Sequence, residues 1–249
     1  VNQGGAFLIM SESKADALGI AQDKRVYLHG GGEASDDYIS ERPVLDGSWA
    51  METAITRALA QAGKAPNDLG AFDLYSCFPC AVFSSMAALG IDHTSETRPL
   101  TLTGGLPFFG GPGNNYSMHG IVSMTEWLRA HTGEYGLVLA NGGWMTKEAV
   151  GVWSTARPAA FEPVKPYAKP TDKVALDDAP DEGVVETYTV TYGRDGPMSG
   201  SIFARTPSGD RFIAVAAPEA MPRLLEEESP VGLTVRVITE DERNTFVFA

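Results

Sequence analysis

The sequence lacks a long hydrophobic run. Nowhere in its 249 residues do the roughly 20 consecutive apolar residues of a membrane-spanning helix occur. It also does not open with the charged and then apolar segment that precedes the cleavage site of an exported protein. We therefore expect a protein that does not contact membranes and that resides in the cytoplasm.

Positive charge is scarce. The 19 Lys and Arg stand against 32 Asp and Glu, which gives a formal net charge of -13, and no stripe of basic residues stands out. A partner with a phosphate backbone needs such a stripe, so the composition argues against nucleic-acid binding. An anionic ligand could be held only by local donors, such as helix N-termini and backbone amides.

Cysteine is almost absent. The chain has only Cys77 and Cys80, spaced CxxC, and a single CxxC cannot supply the four ligands of a zinc site. A redox pair of the thioredoxin type is expected to open a helix after a strand, and here Pro79 lies inside the motif. We therefore predict that both cysteines are small buried hydrophobic residues, and we predict no metal site.

The sequence does contain an alternation of strand-like and helix-like segments. Apolar residues recur at helical spacing from Ser48 to Ala62, and Gly63 follows as a helix C-cap. The run Gly5 to Met10 suits a buried central strand, although periodicity alone would also allow a helix. The other predicted elements are strands at Arg25 to His29, Phe72 to Tyr75, Gly136 to Ala140 and Val150 to Ser154, and helices at Cys77 to Ile91 and Tyr116 to His131. This alternation predicts a layered α/β domain.

The composition changes between Arg157 and Pro180. Prolines and charges occur there without periodicity, as in a linker or an extended strap. Five short segments follow in which apolar and polar residues alternate at strand spacing, with turn signals between the first three. This pattern fits a small antiparallel β-barrel of the OB type. We therefore divide the chain into a layered domain at 1–156, a proline-rich linker at 157–180 and a barrel domain at 181–249.

Three segments of the first domain carry a family resemblance through their content and joint spacing. They read AQAGKAPNDLGAFDLYSCFPCAVFSSMAALGI, TGGLPFFGGPGNNYSMHGI and GLVLANGGWMTKEAVGV. They resemble the thiolase blocks that carry Asn-Glu-Ala-Phe (His-Asp-Cys-Phe in the sterol-carrier-protein type), Gly-His-Pro and Cys-x-Gly. The chain is therefore similar to the C-terminal half of a bacterial thiolase-like protein, a class that includes acetyl-CoA acetyltransferases. The resemblance implies the layered α-β-α fold of that half, with the barrel as an additional domain.

The resemblance also implies acyl-CoA chemistry, but three motif positions depart from the family. Tyr75 stands where Asn or His holds an oxyanion-hole water, and its phenol could donate a hydrogen bond instead. Gly111 stands where the activating His should be, and Ala140 stands where the second Cys should be. Glycine cannot activate a nucleophile and alanine has no proton to give. Ordinary thiolase activity is therefore not expected.

The candidate site residues follow from these positions. Tyr75 and His119 are the candidate catalytic residues, and a purely structural role is the alternative for each. The candidate ligand-binding residues are Gly104, Gly105, Gly110, Gly111 and Asn141. The glycines allow positive φ and close backbone approach before a helix N-terminus, where amides can meet a carbonyl or a phosphate. A tight packing loop is the alternative for them.

The expected function is binding of an acyl-CoA or a related thioester, with coenzyme A thioester as ligand and no covalently bound cofactor. A non-enzymatic scaffold whose barrel docks another protein stays open, and so do two enzymatic alternatives. One is altered chemistry, such as retro-aldol cleavage of a β-hydroxyacyl-CoA with Tyr75 or Tyr116 as acid or base. The other is an acetyl-CoA acetyltransferase completed by a missing N-terminal half, which we expect as a partner because Val1 is not a start methionine. The sequence leaves the oligomeric state open.

Overall fold

The computed structural model describes residues 3–111, 113–160, 162–164, 167, 170 and 172–249. It divides the chain into two compact units: Val1–Asp36 with Val44–Pro170, and Asp37–Pro43 with Thr171–Ala249. The fold is mixed α/β, with one open sheet and one closed barrel, as the sequence predicts. Within the described residues, no helix has the length and apolar character needed to cross a membrane.

The first unit is built on a four-stranded sheet in the order β1–β4–β3–β2. Its strands are β1 Tyr27–Ser35, β2 Ala71–Asp73, β3 Tyr135–Gly142 and β4 Lys147–Ser154. β4 pairs antiparallel with β1 and with β3, whereas β2 pairs parallel with β3. Because β2 and β3 run in the same direction, the residues that follow β2 emerge at the same edge of the sheet as the end of β3.

The helices predicted in this unit at residues 48–62, 77–91 and 116–131 are present, and two short helices accompany them. They are α1 Glu12–Ala17, α2 Trp49–Ala62, α3 Pro79–Leu89, α4 Leu106–Phe109 and α5 Tyr116–Ala130. In α2 the Ser48 hydroxyl accepts a hydrogen bond from the Met51 amide, and Gly63 ends the helix with φ +62°. The apolar face of α2 packs into the main hydrophobic core, so the C-cap and the buried face are where the sequence predicts them, and the structure adds the N-cap at Ser48.

Helix α2 lies directly against β1 because both surfaces carry small residues. Gly30 and Gly32 face the carbonyl oxygens of Ala58 and Ala54, and a Cβ on either glycine would overlap those oxygens. Ala54 and Ala58 are themselves fully buried. The contact is therefore one of backbone against backbone, with no room for another methyl group.

The second unit holds a closed barrel in the order β5–β6–β7–β9–β8. Its elements are β5 Glu182–Gly193, β6 Gly196–Arg205, β7 Arg211–Ala216, the short helix α6 Met221–Leu224, β8 Thr234–Glu240 and β9 Arg243–Phe248. The predicted antiparallel pairing needs one correction, because β7 and β9 pair parallel. The connection through α6 and β8 separates these two strands, which lets β9 return beside β7 in the same direction.

The second unit also includes a segment from early in the chain. Residues Asp37–Pro43 group with the barrel, although the sequence analysis left them inside residues 1–156. Arg211 is fully buried and donates to the carbonyl oxygens of Ser40 at 2.8 Å and Arg42 at 2.7 Å. These partners are about 170 positions apart in sequence, so no local pattern could reveal them.

Two local predictions are wrong. The segment from Gly5 to Met10 forms neither a strand nor a helix, and Leu8 and Ile9 are 85% and 83% exposed. A buried strand needs neighbouring strands, and none of the described strands pairs with this segment. Cys77 and Cys80 are exposed rather than buried, because they lie at the turn between β2 and the first residues of α3.

Candidate functional site

Two polar side chains, one at the end of β2 and one shortly after it, hold the glycine loop, which we define as residues 103–111. Asp73 ends β2, and its Oδ2 accepts a hydrogen bond from the Thr103 amide at 3.0 Å. The Ser76 hydroxyl accepts one from the Leu106 amide at 3.0 Å. Because the sheet fixes the end of β2, these two bonds also fix the position of the loop.

A buried polar network joins the glycine loop to α5. The Thr103 and Tyr116 hydroxyl oxygens lie 2.5 Å apart, and both Asp73 and Tyr116 are fully buried. Gly120 lets the helix approach closely, since a Cβ there would lie 2.8 Å from Asp73 Oδ1. Asp73, Thr103 and Tyr116 therefore form one network, which the sequence analysis did not assign to the site.

The environment of Asp73 is poorly suited to a charge. Burial raises the pKa of Asp73, and hydrogen bonds from Thr103 offset this only in part. Its Oδ1 is buried and makes no hydrogen bond within the part of the chain that the structure describes. The sequence held one signal for this residue: an acid between apolar neighbours at the end of a buried strand, in FDLY.

We expect the substitution Asp73→Asn to change how stability depends on pH. The folded pKa of Asp73 lies above its ordinary value of 3.8. The folded state therefore binds more protons than the unfolded chain, and the stability due to this group falls as the pH rises through the folded pKa. Asparagine keeps an acceptor for Thr103 but does not titrate. Relative to the unmodified protein, the free energy of unfolding of the variant should increase as the pH rises above the ordinary pKa of 3.8 and through the higher folded pKa.

Urea denaturation at several pH values measures this difference. A difference between the two proteins that stays constant with pH would show that Asp73 is not responsible. Asp68→Asn, at an exposed position in the turn after α2, serves as a matched control.

Tyr75 lies at the sheet edge beside this network. Its ring is half-buried and meets the Tyr116 ring edge-on, with centroids 5.3 Å apart. Burial, and to a smaller extent the Cys77 thiol, raises the pKa of Tyr75 above its ordinary value of 10. The phenol therefore keeps its proton at neutral pH and can donate a hydrogen bond, but it is a poor base.

His119 lies at one end of a row of aromatic rings that has Tyr75 at its other end. Its ring centroid is 5.1 Å from that of Phe109, and Phe109 in turn contacts Tyr116. Its Nε2 is 3.2 Å from Asn115 Nδ2, with the donor set by the tautomer. Two rings thus separate His119 from Tyr75, and no hydrogen bond or ring contact joins the two directly in the described structure.

Three of the predicted ligand-binding glycines have their amides engaged. Gly104, Gly105 and Gly110 adopt positive φ, as predicted for such a loop. Their amides donate to Thr101 O, Thr103 Oγ1 and Leu106 O, so they serve the packing of the loop. Gly111 is exposed, and the nearest atom to a Cβ there, on Leu106, is 4.0 Å away. A side chain could therefore be accommodated at Gly111.

Asn141 lies near the end of β3, on the same sheet edge as the residues after β2. Its Nδ2 donates to Cys77 Sγ at 4.0 Å, and its Oδ1 is buried without a hydrogen bond among the described residues. Ala140 precedes it and pairs with Ala149 across β3 and β4. The structure thus brings Asn141 close to the turn that carries Tyr75, Ser76 and Cys77, but it leaves His119 apart.

No group of three or more His, Cys, Asp or Glu in the described ranges could hold a metal ion.

A cavity of about 1300 Å³ lies elsewhere in the first unit, between the segment at residues 6–10, α5 and the start of β1. None of the predicted site residues lines it. This cavity and the candidate site are therefore separate features.

The fold, together with the similarity to known proteins, defines the class of protein. The chain belongs to the thiolase-like proteins. Residues 164–243 match the family model of the thiolase-like protein type 1 additional C-terminal domain. Over 96% of its length the chain is similar to a solved structure, a monomeric SCP2-thiolase-like protein type 1 from Mycobacterium smegmatis, with 40% sequence identity and a TM-score of 0.84. The chain spans 54% of that protein. No curated protein sequence matches it.

Proposed function

We propose that this thiolase-like protein binds an acyl-CoA or a related thioester without carrying out ordinary thiolysis or condensation. The observation that supports binding most directly is Asn141, whose buried Oδ1 makes no hydrogen bond within the described residues. A buried polar atom without a partner is costly. A ligand that donates to this oxygen, such as the amide of the pantetheine arm, would remove that cost.

Proton transfer is the weaker part of the site. Gly111 and Ala140 stand at the positions of the thiolase His and second Cys, as the sequence motifs indicate. Cys77 is exposed as a residue, but partial desolvation of its thiol raises the pKa of that thiol, so it is a poor nucleophile at neutral pH. Tyr75 also keeps its proton and is suited to donate to a carbonyl oxygen. These groups favour holding a thioester over abstracting a proton from it.

The proposal is tested by isothermal titration of the protein with coenzyme A, acetyl-CoA and acetoacetyl-CoA. We expect saturable binding that Asn141→Ala weakens by about tenfold, since one hydrogen-bonding partner is lost. Asn67→Ala, at an exposed position before the start of β2 and so at the end of that strand opposite to the site, is the control and should bind as the unmodified protein does. No detectable binding at millimolar ligand would refute the proposal.

Two other chemistries give different results in activity assays. Retro-aldol cleavage of a β-hydroxyacyl-CoA would need Tyr75 or Tyr116 as acid or base, and Tyr75→Phe should then abolish turnover. An acetyl-CoA acetyltransferase would show thiolysis of acetoacetyl-CoA. We expect neither activity, because the pKa of each tyrosine is raised, chiefly by burial, and the two thiolase proton carriers are replaced.

We further propose that polypeptide beyond this chain, corresponding to the part of the Mycobacterium smegmatis protein that it does not span, packs on Phe7, Leu8 and Ile9. We also propose that the protein is cytoplasmic. Consecutive exposed apolar residues, such as those at positions 7–9, mark interaction surfaces. Hydrogen exchange at residues 6–10 tests this contact by comparing the present chain with a protein that also carries the additional polypeptide. The amides of residues 6–10 should be more protected in the longer protein, and equal exchange in the two proteins would argue against the contact.

A further inference from the structure

The two cysteines of the chain lie where helix α3 opens after a strand. Cys77 precedes Phe78, the residue at the N-cap position, and Cys80 lies in the first turn of the helix. The preceding strand β2 ends at Asp73. A CxxC pair that opens a helix after a strand is the arrangement expected of a thiol–disulfide redox pair. The structure therefore provides the local setting that such a pair requires.

Pro79, inside the motif, does not disturb this setting. It is the first residue of α3, where the amide that proline lacks would have no partner within the helix. The chain bends at Cys77 and Phe78 before the helix begins. Because only two residues separate the cysteines, the bend keeps Cys77 close to the turn of α3 that carries Cys80.

Both thiols are accessible, and they interact with each other. Cys77 and Cys80 are exposed free cysteines, and the chain has no others. The pKa of Cys77 is raised, chiefly by desolvation and to a smaller extent by the charge of the Cys80 thiolate, so the two sulfur atoms lie within electrostatic reach. An accessible thiol beside a second thiol that can displace its oxidised form is suited to reversible oxidation. An internal disulfide of this chain can join only this pair.

We propose that Cys77 and Cys80 form a redox-modification site, which reacts with a small disulfide such as glutathione disulfide to give a reversible internal disulfide. In a cytoplasmic protein such a bond is usually transient, and it serves redox sensing or catalysis. The site lies beside the candidate ligand site, since Cys77 Sγ is 4.0 Å from Asn141 Nδ2. The proposed disulfide does not depend on the binding of a thioester.

The exchange takes place in two steps. The Cys80 thiolate attacks one sulfur of glutathione disulfide, which forms a mixed disulfide and releases one glutathione thiolate. The Cys77 thiolate then attacks the Cys80 sulfur, so that the Cys77–Cys80 bond forms and the second glutathione thiolate leaves. The two protein thiols are oxidised, glutathione disulfide is reduced, and the protons of the protein thiols pass through solvent to the released thiolates. Cys80 attacks first because desolvation holds the proton on Cys77.

The test equilibrates the reduced protein in a graded series of glutathione redox buffers. The remaining thiols are then alkylated, and the mass of the intact protein is measured. As glutathione disulfide increases, we expect both thiols to be lost together without attached glutathione, and dithiothreitol should restore them. A protein that instead accumulates bound glutathione, links to a second chain, or keeps both thiols in the most oxidising buffer would overturn the inference.

Cys77→Ser and Cys80→Ser are the matched variants, because each keeps one thiol of the pair. Neither can form the internal bond, so each should end as a mixed disulfide with one glutathione where the unmodified protein carries none. Cys77→Ser should take up glutathione faster than Cys80→Ser, and the opposite order would overturn the assigned order of attack. Thioester binding plays no part in these measurements, so a failure of the proposed function would leave this inference standing.

Discussion

Gly32→Ala is expected to destabilise the protein by about 3 kcal/mol or more. The added methyl would overlap the carbonyl oxygen of Ala54, which belongs to the backbone of α2 and cannot rotate away. Either α2 must move off β1 or β1 must bend, and both changes open the main core. Urea denaturation followed by circular dichroism measures the effect, and Gly30→Ala should behave in the same way, since it faces Ala58.

Gly111→Ala is the control for this prediction. The nearest atom to its new Cβ is 4.0 Å away, an ordinary contact distance, so its stability should stay within about 0.5 kcal/mol of the unmodified protein. If Gly32→Ala proved as stable as Gly111→Ala, α2 and β1 would not be packed as closely as described. The core of the first unit would then need a different arrangement.

Arg211→Met is expected to destabilise the second unit by about 3–5 kcal/mol. The fully buried guanidinium donates to Glu186 at 2.6 Å and to the carbonyl oxygens of residues 39, 40 and 42. Methionine fills much of the volume but leaves these carbonyls without their donor. The segment Asp37–Pro43 should then detach from the barrel. Chemical denaturation measures the loss of stability, and limited proteolysis detects cleavage within the detached segment.

The same substitution should alter acid unfolding. Burial alone would raise the pKa of Glu186, but hydrogen bonds from Arg211 and Arg205 hold it below its ordinary value of 4.5. This contribution to stability is therefore present above about pH 4.5 and is lost as the pH falls through the lower folded pKa. Without Arg211 the pKa of Glu186 should rise, and the loss should begin at higher pH. Arg236→Met, at an exposed position of β8, should change neither property.

The elements that sequence analysis predicted well are those whose signal is local. The apolar spacing of α2 and its two caps lie within 16 consecutive residues, from Ser48 to Gly63. The barrel strands likewise show their alternation within each segment. Such patterns reflect which side of one element is buried, and this can be read without knowing what covers it.

Predictions that depended on neighbours were less successful. Gly5 to Met10 has the composition of a central strand, but composition does not supply adjacent strands, and the segment is exposed. Cys77 and Cys80 are residue types common in a core, yet the helix begins at Pro79 and both residues are exposed. In each case the residue types were read correctly, and the contacts that decide burial lay outside the segment.

The candidate site shows the same division. Residue types at fixed spacing were enough to predict the fold class and the family, and they also predict the motif positions of Tyr75, Gly111, Ala140 and Asn141. They could not predict that Asp73 and Thr103 share a buried network with Tyr116, or that two rings separate His119 from Tyr75. These relations join residues that are distant in the chain, and the sheet brings them together through the parallel pairing of β2 with β3.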